Sequence, residues 1–81
     1  MEKKSFRLYV VCIEEDGQNG IYTQAKVFAT LSEAWAFAEE ENKKFKDEYG
    51  DDAETEESYG SSIYTFTDDY YIYITVEEAN V

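Results

Sequence analysis

Residues 5–33 read SFRLYVVCIEEDGQNGIYTQAKVFATLSE, and this stretch decides the fold. From Ser5 to Ile13 the side chains alternate, with Phe6, Leu8, Val10 and Cys12 on one side and Arg7, Tyr9, Val11 and Ile13 on the other. That is the period of a β-strand. Asp16-Gly17-Gln18-Asn19-Gly20 then carries two hairpin dipeptides, Asp-Gly and Asn-Gly, whose glycines accept positive φ. A second strand from Ile21 to Ala29 completes a β-hairpin. Thr30-Leu31-Ser32-Glu33 follows as a capping box, in which the threonine caps the N3 amide, Glu33 reaches back, and Ala29 with Ala34 forms a weak staple. The hairpin therefore runs directly into a helix.

Leu31, Ala34, Trp35, Ala38, Phe45 and Tyr49 share one face of that helix at the 3.6-residue period, with polar Asn42 interrupting it. Glu39 with Lys43 and Glu40 with Lys44 are i,i+4 pairs in the favourable order. Gly50 suits a left-handed C-terminal turn, which gives a helix of about 19 residues and about 28 Å. No period survives over residues 51–60, and five of these ten residues are acidic, so a loop is expected. A last hairpin joins Ser61–Thr67 to Tyr70–Glu77 at Asp68-Asp69. The expected architecture is α+β, a two-layer ββαββ domain over residues 1–81, with one helix on one face of an antiparallel or mixed four-stranded sheet.

Residues directly opposite in a hairpin point to the same side of the sheet. A turn at Asp68-Asp69 sets Ile63 opposite Ile74 and Thr65 opposite Ile72, which suits the helix side, and sets Phe66 opposite Tyr71 and Tyr64 opposite Tyr73 on the other. A turn at Gln18-Asn19 sets Val10 opposite Val27, Cys12 opposite Ala25 and Tyr9 opposite Phe28. Small aliphatic residues are then expected under Trp35 and Phe45, with Cys12 among them as a small buried hydrophobe. Tyr9, Phe28, Tyr64, Phe66, Tyr71 and Tyr73 are expected on the uncovered face. Six aromatics there form either a partner surface or simply good strand residues that tolerate solvent.

The chain has 81 residues, 19 acidic and 7 basic side chains, a net charge of −12, no histidine and one cysteine. Lacking the side chain that titrates near neutral pH, it reads as a binder and not as an enzyme. Asp51, Asp52, Glu54, Glu56 and Glu57 lack the ligand spacing of an EF-hand, and no glycine-rich phosphate loop is present, so no metal or cofactor is expected. Direct nucleic-acid or membrane binding is not expected either, because basic clusters are missing. Met1 to Arg7 runs straight into the strand pattern, no apolar run approaches the ~20 residues of a spanning helix, and a single cysteine fits a reducing compartment. A cytoplasmic location is the expectation.

Asp47 and Glu48 lie at the helix C-terminus, where the macrodipole opposes negative charge. In extended backbone Glu54 and Glu56 stand about 6.6 Å apart on one side, a spacing of the same order as phosphates along a strand. In size, acidity and lack of a catalytic motif the chain resembles small anti-defence proteins of phages and mobile elements, including DNA-mimicking anti-restriction and anti-CRISPR proteins. That resemblance rests on these bulk properties. It implies an inhibitor that occupies the nucleic-acid channel of a nuclease or another nucleic-acid-binding protein, a basic partner. The expected contact residues are Glu39, Glu40, Glu41, Asp47, Glu48, Asp51, Asp52, Glu54, Glu56 and Glu57, with the six aromatics as anchors. The alternatives are a homo-oligomerising structural or adaptor module, such as a homodimer, that buries its aromatic face, and an immunity protein or antitoxin for a basic toxin.

Overall fold

A computed structural model describes residues 7–58 and 61–80, Ser58 by its backbone alone. The expected strand start at Ser5 and Phe6 lies outside the described residues, as do Tyr59 and Gly60 of the expected loop. The elements are β1 (Arg7–Gly17), β2 (Gly20–Phe28), α1 (Leu31–Tyr49), a 3-10 turn (Gly50–Asp52), β3 (Glu54–Ser58), β4 (Ser62–Phe66) and β5 (Tyr71–Asn80). They form one antiparallel sheet in the order β2-β1-β5-β4-β3, with α1 on one face. The α+β class stands, but the sheet has five strands, not four.

The extra strand is β3, which falls in the expected loop. It pairs with β4 in the register Glu54↔Phe66, Thr55↔Thr65, Glu56↔Tyr64 and Glu57↔Ile63. Backbone pairing and one inward threonine hold it, and neither leaves an apolar period in the sequence. Its charges also suit an edge, where acidic side chains discourage pairing with other chains.

Both hairpin registers agree with the expectation. Tyr9↔Phe28, Val10↔Val27 and Cys12↔Ala25 follow from the turn at Gln18–Asn19, where Gly20 takes φ 106°. Ile63↔Ile74, Tyr64↔Tyr73, Thr65↔Ile72 and Phe66↔Tyr71 follow from the turn at Asp68–Asp69. There the Thr67 hydroxyl accepts from the amides of Asp69 at 3.3 Å and Tyr70 at 3.0 Å. The helix ends agree as well. Thr30 Oγ1 accepts from the Glu33 amide at 3.2 Å, and its own proton goes to the Glu33 carboxylate at 2.8 Å. Gly50 closes the other end at φ 64°, with its amide on the Lys46 carbonyl.

The faces of the first hairpin are the reverse of the expected ones. Val11 and Ile13 of β1 are buried with Ile63, Ile72, Ile74 and Val76 beneath Ala34, Ala38 and Phe45, while Cys12 is exposed. Tyr9 and Phe28 pack against this core on the helix side. The cause is that β1 is apolar at both parities, so its alternation alone selects no face. Pairing with β5 selects it, since Ile13↔Ile74 and Val11↔Val76 put those residues on the side where Ile74 already lies.

Aromatic contacts fasten the helix at both ends. Phe37, outside the expected stripe, meets Phe28 at 5.4 Å between centroids, and the Lys26 ammonium lies 4.8 Å from the Phe37 ring. Tyr49 sits between Phe45 at 4.6 Å and Tyr70 at 5.2 Å, and its hydroxyl accepts from the Gln18 amide at 3.2 Å. Leu31, expected on the buried stripe, is exposed in the first turn. The lysines do not take the expected partners. Lys43 pairs with Asp47 at 3.4 Å and Lys44 with Glu41 at 3.5 Å.

Asn42 has a structural reason. It accepts a hydrogen bond from Thr65, the buried polar residue of the core, and Thr65 Oγ1 lies 2.8 Å from Thr55 Oγ1. A threonine has one hydroxyl proton, so Thr55 donates to Thr65, and the chain Thr55–Thr65–Asn42 ties β3, β4 and α1 together. Thr65→Val leaves the Asn42 carboxamide without its donor and should cost about 1–3 kcal/mol in urea unfolding. Adding Asn42→Leu should recover most of that loss. A single variant within error of the parent would show that the network contributes nothing.

Candidate protein-binding face

The helix covers one side of the sheet, and strand parity assigns the residues of the other. Leu8, Val10, Cys12, Glu14 and Asp16 of β1 lie beside Ile21, Thr23, Ala25 and Val27 of β2 on one flank and Tyr71, Tyr73, Thr75, Glu77 and Ala79 of β5 on the other. Ser62, Tyr64 and Phe66 of β4 follow, then Glu54 and Glu56 of β3. Four of the six expected aromatics are therefore on this open face. Tyr9 and Phe28 are not, because they belong to the core side.

The four aromatics form one cluster centred on Tyr64, whose ring centroid is 5.0 Å from Phe66, 6.0 Å from Tyr71 and 6.1 Å from Tyr73. Carboxylates border the cluster on both sides. Glu54 and Glu56 stand opposite Phe66 and Tyr64, while Asp16 and Glu14 stand opposite Tyr71 and Tyr73. The Tyr71 phenol is pushed above its ordinary value by loss of hydration first, then by the charge of Glu14 and its hydrogen bond to that side chain, and by Asp16. It stays a neutral donor across the physiological range.

At the end of the sheet, beside the 3-10 turn, Asp51, Asp52, Glu54, Asp68 and Asp69 line an open cleft of about 470 Å³ with Tyr49, Thr67 and Tyr70. Among the described residues no group of three or more His, Cys, Asp or Glu side chains is placed to hold a metal ion. These carboxylates surround a larger space, walled partly by the Tyr49–Tyr70 ring pair. Its lining suits a cationic side chain, with rings for its plane and carboxylates for its charge.

The expected acidic contact residues do not form one surface. Asp51, Asp52 and Glu54 line the cleft, and Glu54 and Glu56 border the aromatic cluster. Glu57 has the opposite parity and shares a small groove with Glu39 and Trp35 on the helix side. Glu40 and Glu48 are exposed on the helix, and Asp47 is paired with Lys43. Glu14, Asp16, Glu77, Asp68 and Asp69 lie outside the contact residues expected from the sequence. The two turn aspartates were legible from their neighbourhood to the tyrosines, but Glu14 and Asp16 reach the aromatics only through the long-range pairing of β1 with β5.

Among the described residues, no helix is long and apolar enough to cross a membrane. No protein-family model, curated protein or solved structure matches the chain.

Glu15 lies on the helix side of β1, and partial burial first, then the charges of Glu48 and Glu41, raise its carboxyl above the usual range. A raised folded-state value favours folding while the group is protonated, and that contribution is lost as pH rises through the folded value. Glu15→Gln should therefore raise Tm at pH 7 by a few degrees, about what a fraction of a kcal/mol produces in a domain of this size. The gain should shrink toward pH 4. An equal gain at both pH values would show that charge is not its cause.

Proposed function

We propose that this chain is a non-catalytic inhibitor that binds the basic surface by which a nuclease or other nucleic-acid-binding protein holds its nucleic acid. One observation carries the reading. The open face bears Glu14, Asp16, Glu54, Glu56 and Glu77 and no lysine or arginine among its described residues, whereas Arg7, Lys26 and the helix lysines all lie on the helix side. Charge spread only for solubility has no cause to divide in this way.

The geometry supports this binding chemistry in two ways. Arginine stacks on aromatic rings and takes carboxylates in bidentate fashion, and the open face sets Tyr64, Phe66, Tyr71 and Tyr73 between two rows of carboxylates. Glu54 and Glu56, on one side of an edge strand, project charge about 6.6 Å apart, so a groove shaped for phosphates meets a comparable charge row. The acidic cleft beside them accepts one more cationic side chain. Burying two copies of this face against each other is unfavourable by the same count, since five carboxylates would meet five without a cation between them.

The test is a pull-down at low salt with a salt-gradient elution and competition by double-stranded DNA. The expected outcome is a nucleic-acid-binding protein, released by moderate salt and displaced by DNA. The triple variant Glu14→Gln/Glu54→Gln/Glu56→Gln should weaken that complex about tenfold or more, equivalent to about 1.4 kcal/mol. Glu39→Gln/Glu40→Gln on the helix should change it less than about twofold, as expected of charges outside the interface. Binding that ignores salt and the triple variant would sink the proposal.

A further inference from the structure

The two edges of the sheet differ in length, charge and apolar content. Edge β3 has five residues, three of them glutamates. Edge β2 has nine, GIYTQAKVF, with Lys26 as its one charge. No acidic residue occurs between Asp16 and Glu33, although the chain has 19 of them. Of the five large hydrophobic residues exposed among the described residues, three are on β2: Ile21 at 76%, Tyr22 at 51% and Val27 at 56%. The strand carries no proline and no bulge, and the one charge that could guard its edge, Lys26, is turned over the Phe28 and Phe37 rings on the helix side.

The free backbone groups of β2 can be identified. The Thr67 amide donates to the Tyr70 carbonyl and the Val76 amide to the Ser61 carbonyl, so the even residues of β5 direct their backbone groups to β4. Antiparallel pairs alternate, and the odd residues of β5 therefore bond β1, the even residues of β1 bond β5, and its odd residues bond β2. On β2 the even residues are thereby engaged. Ile21, Thr23, Ala25 and Val27 present their amides and carbonyls outward, and among the described residues nothing covers them.

We infer that β2 pairs with β2 of a second copy, antiparallel about a two-fold axis at Gln24, making one continuous sheet of ten strands. This register overlaps the whole strand and is self-complementary. Ile21 meets Val27 and Thr23 meets Ala25 on the open side, while Tyr22 meets Lys26 and Gln24 meets Gln24 on the helix side. Each outward residue faces another outward residue, so all the free backbone groups are paired. A copy bearing −12 meets its twin along the one acid-free edge strand, and β2 is consumed by the pairing, which closes the assembly at two. Both open faces then lie on the same side of the dimer.

Mass measurement over protein concentrations up to about 0.1 mM detects any Kd tighter than that. The expected species has twice the 9.4 kDa of the chain. Salt should strengthen it by screening like net charges, the opposite of its effect on a basic partner. Ala25→Pro removes an outward amide and no bond to β1, so it should weaken the dimer at least about tenfold while the circular dichroism of the fold stays unchanged. In a Cys12→Ser background, Gln24→Cys should cross-link to itself on mild oxidation, because a non-hydrogen-bonded pair brings Cα atoms to about 4.5 Å. Tyr22→Cys, facing Lys26, should not. A chain that stays at 9.4 kDa throughout, a dimer indifferent to Ala25→Pro, or a position-22 cysteine that cross-links as well as position 24 would each overturn the inference.

Discussion

The pairing of β1 with β5 is the constraint on which the rest depends. These are the long strands, and they run antiparallel from Arg7↔Asn80 to Asp16↔Tyr71 at the centre of the sheet. Each is also the inner partner of a hairpin, so their register transmits one parity to all five strands. A shift of one residue would place Val11 and Ile13 in solvent and bring Cys12 and Glu14 under the helix. The single phase that buries Ile13 beside Ile74 also delivers Glu14 and Asp16 to the open face beside Tyr73 and Tyr71.

With one helix, only one face can be dry. The covered face takes the aliphatic core, the Thr55–Thr65–Asn42 chain and the contacts of Tyr49 with Gln18 and Tyr70. The lysines go to that layer as well, where Lys43 and Lys44 pair with neighbouring acids. What remains on the open side is a cluster of aromatics between carboxylates, with the aliphatic residues of β1 and β2 beside it. The acidic segment and the aromatic strands, which look like two rival surfaces in the sequence, are neighbours on one sheet once β3 is recognised as a strand.

The same sheet has two unlike edges. On β3 the glutamates guard the backbone at the rim of the open face. On β2 the backbone is unguarded, and the chain's negative charge is withdrawn from it. The two proposed contacts are therefore spatially separate: an acidic aromatic face for a cationic surface, and a neutral edge for a like strand.

The parts of this protein decided by sequence alone are its local ones. Gln18–Asn19 between glycines and the Asp68–Asp69 turn set both hairpin registers, Thr30 and Gly50 set the limits of α1, and each depends on contacts within a few residues. The long-range parts were not legible. β3 has no apolar alternation because an edge strand with one solvated face needs none, and β1 is apolar on both sides, so only its pairing with β5 chose which side became core. The candidate site shares this division. Its aromatic half, Tyr64, Phe66, Tyr71 and Tyr73, follows from a local hairpin, whereas the faces taken by Tyr9, Phe28, Glu14 and Asp16 do not, because a strand's face is settled by its neighbour in the sheet and not by its neighbours in the chain.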